Sequence, residues 1–485
     1  MDALDVSRWQ FGITTVYHFI FVPLTIGLAP LVALMQTLWH LTGREHWLRL
    51  TRLFGELFLV NFAIGVVTGI VQEFQFGMNW SEYARFVGDV FGAPLAMEAL
   101  AAFFIESTFL GLWIFGWNQL PRAVHLACIW LVAISVNLSA FFILAANSFM
   151  QHPVGARFNP LSGRAEMVDI GAVLTNSTLQ VAFPHTLTSA FLVAGTFVAS
   201  ISAWLMVRAA HGGLDDLAHS YRSALRLGLL TTVLSGVGVA ISGDAQAKVM
   251  FEQQPMKMAA AEALCDGQAH APFSLLAIGR LSEDCRSVQH LLEIPGLTSF
   301  LANGDFNSAL PGVNDLRIRF AQQYGPGVEY APNLAVTYWS FRLMIGLGLG
   351  SAVLAVMGLW LTRRGRVSRS VALGRLALAA LPTPFLACSF GWIFTEMGRQ
   401  PWLVNPNPTG VDQIRLLTAS GVSSVVSAPM IALSLVGFTV LYGVLAGVWF
   451  WLLRHKIQAT IAGGNTASSA TADSTAPVPS LFFGY

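Results

Sequence analysis

Nine stretches of this sequence are long and apolar enough to cross a lipid bilayer, and that limits the fold more than any other feature. They fall near residues 12–39, 53–75, 92–117, 124–149, 179–208, 223–243, 335–361, 373–397 and 428–453. A spanning helix needs about 20 apolar residues. A lipid-exposed backbone must satisfy its own hydrogen bonds, so each stretch is expected to be helical. The expected class is therefore an all-α integral membrane protein. Composition agrees: 54% of residues are hydrophobic and 11% charged, against roughly 25% charged in soluble domains, and the mean hydropathy is +0.60. A net charge of +1 argues against a nucleic-acid partner. The first run has no basic segment before it and no small-residue cleavage site after it, so it reads as a retained helix rather than a signal peptide. No internal repeat of 20–50 residues is visible.

Orientation follows from arginine and lysine in the short connections. Arg44, Arg49 and Arg52 follow the first run, Arg122 the third, Arg208, Arg222 and Arg226 the fifth. Arg363, Arg364, Arg366, Arg369 and Arg375 follow the seventh, Arg454 and Lys456 the ninth. The opposite short loops hold only Arg85, Arg157 and Arg164. The N-terminus is thus expected outside and the C-terminus in the cytoplasm. The organisation reads as helices 1–6 over 1–243, a long outer insertion over 244–334, helices 7–9 over 335–455, and a cytoplasmic tail over 456–485. That tail is rich in Ala, Ser and Thr and is expected to be unstructured. Of the four cysteines, Cys265 and Cys285 lie in the outer insertion, on the side where disulfides persist, and are expected to pair. Cys128 and Cys388 read as plain buried residues. There is no CxxC pair for a thiolate metal site.

Ionisable or ligand-type side chains inside spanning helices are costly and point to function. The set is His18, Glu98, Glu106, His185, Arg342 and Glu396, with Met344 as a soft companion. At a rise of about 1.5 Å per residue, His18, Glu98, His185, Met344 and Glu396 all fall in the outer third of the bilayer, which favours one shared site over scattered packing residues. His185 and Met344 suit the axial pair of a six-coordinate haem; the plainer reading is a packed histidine and core methionine. Arg342 suits a carboxylate such as a haem propionate, or a quinone oxygen, or else snorkels. Glu98 and Glu106, on an uninterrupted helix, stand about 80° and about 12 Å apart. With Ser107, and Ser139 on the next helix, they form a ladder that can pass protons, unless burial simply keeps both carboxyls neutral. His18 and Glu396 can each hold a metal centre with one position open. Trp392, one turn from Glu396, can pack on a porphyrin or carry an electron, or serve as an interfacial belt residue.

The local strings carry a resemblance. FGITTVYHFIFVPLTIGL (11–28), the run from GVVTGIVQEFQFGMNW through AMEALAAFFIESTF (65–109), NSFMQHPVG (147–155), QPMKMAAAEAL (254–264), YWSFRLM (338–344) and FTEMGRQPW (394–402) resemble subunit I of the cytochrome bd quinol oxidases over residues 5–455. The resemblance implies three haems in a quinol:oxygen oxidoreductase of the bacterial cell (inner) membrane. His185 and Met344 would ligate a low-spin haem b, with Arg342 beside them. His18 would ligate haem d and Glu396 a high-spin haem b, two sites that exchange between family members. Glu98 matches a carboxylate beside haem d; Glu106, Ser107 and Ser139 match an inward proton path. Lys257 and Glu262 match the quinol-binding insertion, the Q loop, here of the shorter type. Arg399 would contact a haem propionate, and Trp392 matches a tryptophan between cofactors. A second large subunit, subunit II, is implied, with room for small accessory subunits; menaquinol is one candidate substrate. Quinol oxidised at the outer face, with protons for water drawn from the cytoplasm through Glu106, would separate charge without a pump. Two rivals compete: a proton-coupled transporter built on Glu98, Glu106 and Arg342, which calls for broken helices and repeat symmetry, and a di-haem quinone-linked cytochrome b, which calls for paired histidines on facing helices.

Overall fold

The structure, a computed structural model, describes residues 2–278, 285, 288–407 and 410–469, apart from the side chains of 461–469. Among the described residues, nine helices are long and apolar enough to cross a membrane. In chain order the helices are α1 (Ala3–Thr42), α2 (Glu45–Gly77), α3 (Ser81–Met97), a π-helical turn (Glu98–Phe103), α4 (Phe104–Phe115), α5 (Arg122–Gln151), α6 (Ile170–Leu174), α7 (Ser177–His211) and α8 (Asp215–Gln253). There follow α9 (Pro255–Ala261), α10 (Leu297–Asn303), α11 (Val313–Tyr324), α12 (Leu334–Leu361), α13 (Val371–Ala380), α14 (Pro382–Met397), α15 (Thr418–Gly421) and α16 (Ala428–Ser469). Four antiparallel two-stranded ribbons decorate the loops: β1 (Ala156–Asn159) with β2 (Arg164–Met167), β3 (Gln268–Ala269) with β6 (Ala309–Leu310), β4 (Phe273–Ile278) with β5 (Gln289–Ile294), and β7 (Trp402–Val404) with β8 (Leu416–Leu417). α3, the π-turn and α4 make one span, as do α13 and α14.

Helix α7 is the axis of the bundle; 89% of its most apolar window is buried. Small residues let its neighbours approach, as membrane helices require where no hydrophobic effect drives them together. A Cβ on Gly27 of α1 would stand 2.3 Å from the Ala190 carbonyl oxygen of α7, and one on Gly228 of α8 would stand 2.6 Å from that of Gly195. Either substitution forces the helices apart. At the end of the bundle that carries the arginine-rich turns, three buried polar side chains complete one another. Trp113 Nε1 donates to Gln36 Oε1 at 2.8 Å, and the Gln36 amide donates to His125 Nδ1 at 2.8 Å. His125 Nε2 then donates to the Trp113 carbonyl, also at 2.8 Å.

Two helices outlast the apolar runs that announce them. Helix α8 runs on to Gln253, about ten residues into the segment assigned to the outer insertion, because Asp244–Lys248 pairing and good helix formers carry it past the apolar run. α16 likewise continues past its apolar run, to Ser469. Residues 470–485 lie outside the described residues. Between α8 and α12, Cys265 and Cys285 are joined by a disulfide with Cα atoms 5.5 Å apart. Cys285 packs with Met256 of α9, Leu316 of α11 and Trp402 in one apolar cluster.

Candidate functional site

At the opposite end of the bundle, where the first residues of α1 meet the last of α14, a cavity is lined by Arg8, Thr15, Trp80, Tyr83, Trp392, Glu396 and Arg399, among others. Glu396 accepts from Asn147 Nδ2 at 3.1 Å and is ion-paired with Arg399 one turn on. Thr15 accepts from Gln72 at 2.8 Å, and Phe19 stacks on Trp392 with ring centroids 5.1 Å apart. Many polar atoms here are buried with no hydrogen-bond partner among the described residues: Arg8 Nε, Trp80 Nε1, the Tyr83 hydroxyl, Trp392 Nε1, and Arg399 Nε and Nη1. Native interiors rarely leave such groups unpaired, so each asks for an absent ligand. Three orphaned arginine nitrogens suit an anionic group of carboxylate type.

The two histidines are prepared alike. His18 Nδ1 is 2.9 Å from Thr68 Oγ1, and its ring lies against Gly69, where a Cβ would sit 3.2 Å away. His185 Nδ1 is 3.1 Å from the Ser242 hydroxyl, and its ring lies against Gly243 at 3.3 Å on the same measure. A hydroxyl on Nδ1 fixes the ring and leaves Nε2 as the nitrogen open to a ligand. Met344 presents its sulfur to Gly391, where a Cβ would stand 2.9 Å from it. Cys388, one turn before Gly391, hydrogen-bonds Ser189, one turn after His185. The 388–391 turn of α14 therefore packs near both α7 and α12. Among the described residues no cluster of three or more His, Cys, Asp or Glu could hold a bare metal ion. Side chains of ligand type without a metal cage fit a prosthetic group that brings its own donors, and the orphaned arginine nitrogens fit an acidic edge on such a group.

Glu98 accepts from Ser139 at 2.5 Å. The π-turn that starts at Glu98 alters the expected geometry. One extra residue in the turn brings the offset from Glu106 down from about 80° to about 20°, which aligns the two carboxyls. Glu106 is 5% exposed. Ser107 is not part of this arrangement: it faces outward, and its hydroxyl turns back to the Phe104 carbonyl at 3.2 Å. Consecutive helical residues point about 100° apart, which turns Ser107 away from Glu106. Glu73 of α2, within electrostatic range of Glu98, was overlooked among the membrane carboxylates although it stands inside the second apolar run.

Lys257 and Glu262 lie on two sides of α9. Lys257 is 2% exposed, with its ammonium 5.2 Å from the centre of the Phe394 ring. Burial, aided by Arg399 and opposed by Glu396, lowers its pKa to about 7. Glu262 accepts from Arg342 Nη2 at 2.7 Å, and both side chains are buried. Burial raises the Glu262 pKa although Arg342 opposes it. Arg342 also donates to the Ser274 carbonyl at 2.9 Å and sits over the rings of Phe273, Tyr338 and Phe341. Its Nη1 remains unpaired among the described residues. Phe341 and Phe394, 4.8 Å apart, bridge the two charged groups. The sequence search also passed over Arg8, Thr68, Asn147 and Ser242. Arg8 lies just before the first apolar run, and neutral hydroxyls and amides escape a search for charge.

Fold and site define an all-helical integral membrane protein that carries half-buried histidines, a thioether and a carboxylate on its long apolar helices. A sequence model of the family described as cytochrome bd terminal oxidase subunit I matches residues 6–461. The chain is 43% identical over 458 residues to the cytochrome bd ubiquinol oxidase subunit 1 of Bacillus subtilis, covering 94% of each. It is 36% identical to the cytochrome bd-II ubiquinol oxidase subunit 1 of Escherichia coli, covering 83% of this chain and 88% of that one. The bd oxidase structure from Geobacillus thermodenitrificans superposes with a TM-score of 0.82 at 28% identity, over 94% of this chain and 99% of that one. The chain belongs to the cytochrome bd terminal oxidase subunit I family, and so to the quinol:oxygen oxidoreductases of bacterial respiratory membranes.

Proposed function

We propose that this chain is the haem-bearing subunit of a terminal oxidase in the bacterial cell membrane that oxidises quinol, menaquinol being one candidate, at the outer face and reduces oxygen with cytoplasmic protons. Two quinols give two quinones, and one oxygen with four electrons and four protons gives two waters. His185 and Met344 would hold the low-spin haem b, His18 haem d and Glu396 the high-spin haem b, with Arg399 at a propionate. When bound, these groups supply one-electron transfer and oxygen reduction. The observation that carries the reading is the set of buried, unpaired arginine and aromatic polar atoms around Glu396.

The chain's own residues account for the protons. Lys257, half neutral near pH 7, accepts a proton from a quinol hydroxyl. Arg342 and the Phe341–Phe394 pair hold the ring in place, and Glu262, kept by Arg342, orients it and takes part in its deprotonation. Glu106, Glu98 and Ser139 make the inward relay, without Ser107. Trp392, stacked on Phe19 beside Glu396, lies between cofactor positions. The N-terminus is placed outside and the C-terminus in the cytoplasm, with the relay separating charge in place of a pump. Relatives named subunit 1 imply a subunit II, with accessory subunits and lipid around it. Proteoliposomes given menaquinol and oxygen test the whole reading. Internal alkalinisation coupled to oxygen uptake is expected, and oxygen uptake without it would remove the relay.

A further inference from the structure

A seam of neutral polar side chains runs between α1 and α2. On α1, Ser7, Gln10, Thr14 and His18 recur at spacings of three and four residues; on α2, Thr68, Gln72 and Gln75 do the same, with Asn79 just past its end. Such spacing puts each set on one helix face. The two faces meet rung by rung. His18 Nδ1 is 2.9 Å from Thr68 Oγ1, Gln72 Nε2 donates to Thr15 Oγ1 at 2.8 Å, and Gln75 Nε2 donates to Thr14 Oγ1 at 2.7 Å. Asn79 Nδ2 donates to Gln10 Oε1, and the Gln10 amide donates in turn to Ser434 Oγ of α16 at 2.7 Å. The seam thus climbs from the His18 ring to the ends of both helices, away from the arginine-rich turns. Inward of His18 it closes. After one more pair, Asn61 Nδ2 on Thr25 Oγ1 at 2.8 Å, the same two helices offer Leu28, Val32, Phe54 and Phe58, all wholly buried in one apolar cluster.

Polar pairs between membrane helices ordinarily act as glue, each group answered by another. This seam is not closed in that way: Gln72 Oε1, Gln75 Oε1 and Ser7 Oγ are buried with no hydrogen-bond partner among the described residues. Buried polar atoms of this kind are normally met by ordered water. We propose that the seam holds a file of water between the cofactor position at His18 and the outer aqueous phase, and that the water formed by oxygen reduction leaves along it. The amide and hydroxyl rungs carry no charge, so they pass a neutral product without storing protons. The apolar closure inward of Thr25 keeps the file from joining the cytoplasm, where it would bypass the relay. The cargo rests on the oxidase reading and on His18 as a cofactor ligand; the water file rests on the hydrogen-bond pattern alone.

A high-resolution electron-microscopy map of the purified complex is expected to show ordered water within hydrogen-bond reach of Gln72 Oε1 and Gln75 Oε1. A dry seam, or one in which protein donors take those oxygens, overturns the proposal. Thr14→Val combined with Gln75→Met removes both partners of one rung, so that neither is stranded. This double variant is expected to keep the haem content and reduced spectrum of the wild type, while maximal oxygen uptake per haem falls about tenfold or more as product release becomes limiting. Full uptake per haem overturns the conduit, and is what a seam acting only as glue predicts, its loss then appearing in thermal stability. Should the double variant not accumulate, the map alone decides. A wild-type complex without haem would remove the oxidase reading and with it the cargo, whereas the map would still decide the water file.

Discussion

Two buried polar clusters, one toward each end of the bundle, are satisfied in different ways. At the arginine-rich end, Gln36, His125 and Trp113 close a ring of three 2.8 Å hydrogen bonds, and protein alone satisfies them. At the other end, Arg8, Tyr83, Trp392 and Arg399 keep buried polar atoms without partners. Unpaired groups of this kind are expensive, so a sequence that retains them uses them for something other than its own fold. The difference separates a region built for stability from one built for ligands. Substitutions at the first should change stability and leave spectra alone, and substitutions at the second should do the reverse.

The largest expected effects test the ligand end. His185→Ala or Met344→Leu is expected to abolish the low-spin haem band in the reduced spectrum and quinol-driven oxygen uptake with it, while the helical content stays intact. An unchanged band would erase the contrast between the ends. Glu106→Gln comes next, with oxygen uptake lowered by about 10²-fold or more, the usual scale for a lost proton-transfer group. Ser107→Ala, one residue away but turned outward, should stay within the scatter of an ordinary surface change. Thr68→Val or Ser242→Ala removes the hydroxyl that fixes a histidine and is expected to weaken haem retention by about 10- to 100-fold.

Smaller effects refine the comparison. Lys257 titrates near pH 7 because burial lowers its pKa; its neutral, proton-accepting form is therefore favoured above that value and lost below it. Quinol oxidation in the wild type should rise through pH 7, and Lys257→Met should flatten that rise. At the arginine-rich end, His125→Phe strands Gln36 and is expected to cost about 1–3 kcal/mol, read as a lower melting temperature with an unaltered spectrum.

Much of this fold was legible in the sequence because the bilayer makes hydrophobic length decisive: the nine apolar runs became nine spanning helices. Boundaries were less so. α8 outlasts its apolar run because a helix, once formed, extends through good helix formers in water. His18, His185, Met344, Glu98 and Glu396 stood out because charge and ligand chemistry are scarce in lipid. What stayed hidden depends on three dimensions. The π-turn at Glu98 leaves no mark in composition, yet it sets the register of Glu106 and turns Ser107 away. The pairing of Arg342 with Glu262 joins residues 80 apart, and no local pattern announces it. Glu73 was visible by type and was passed over; its exposure is a property of the folded face.

The most direct test of the central claim, that the unpaired end is built around iron porphyrins, is haem stoichiometry by pyridine haemochrome on the purified complex, alongside Glu396→Ala. Three haems per chain are expected, two of type b and one of type d, falling to two or fewer with Glu396→Ala while the Gln36–His125–Trp113 end keeps its melting temperature. A wild-type complex without haem, or one whose haem content ignores Glu396, would contradict it.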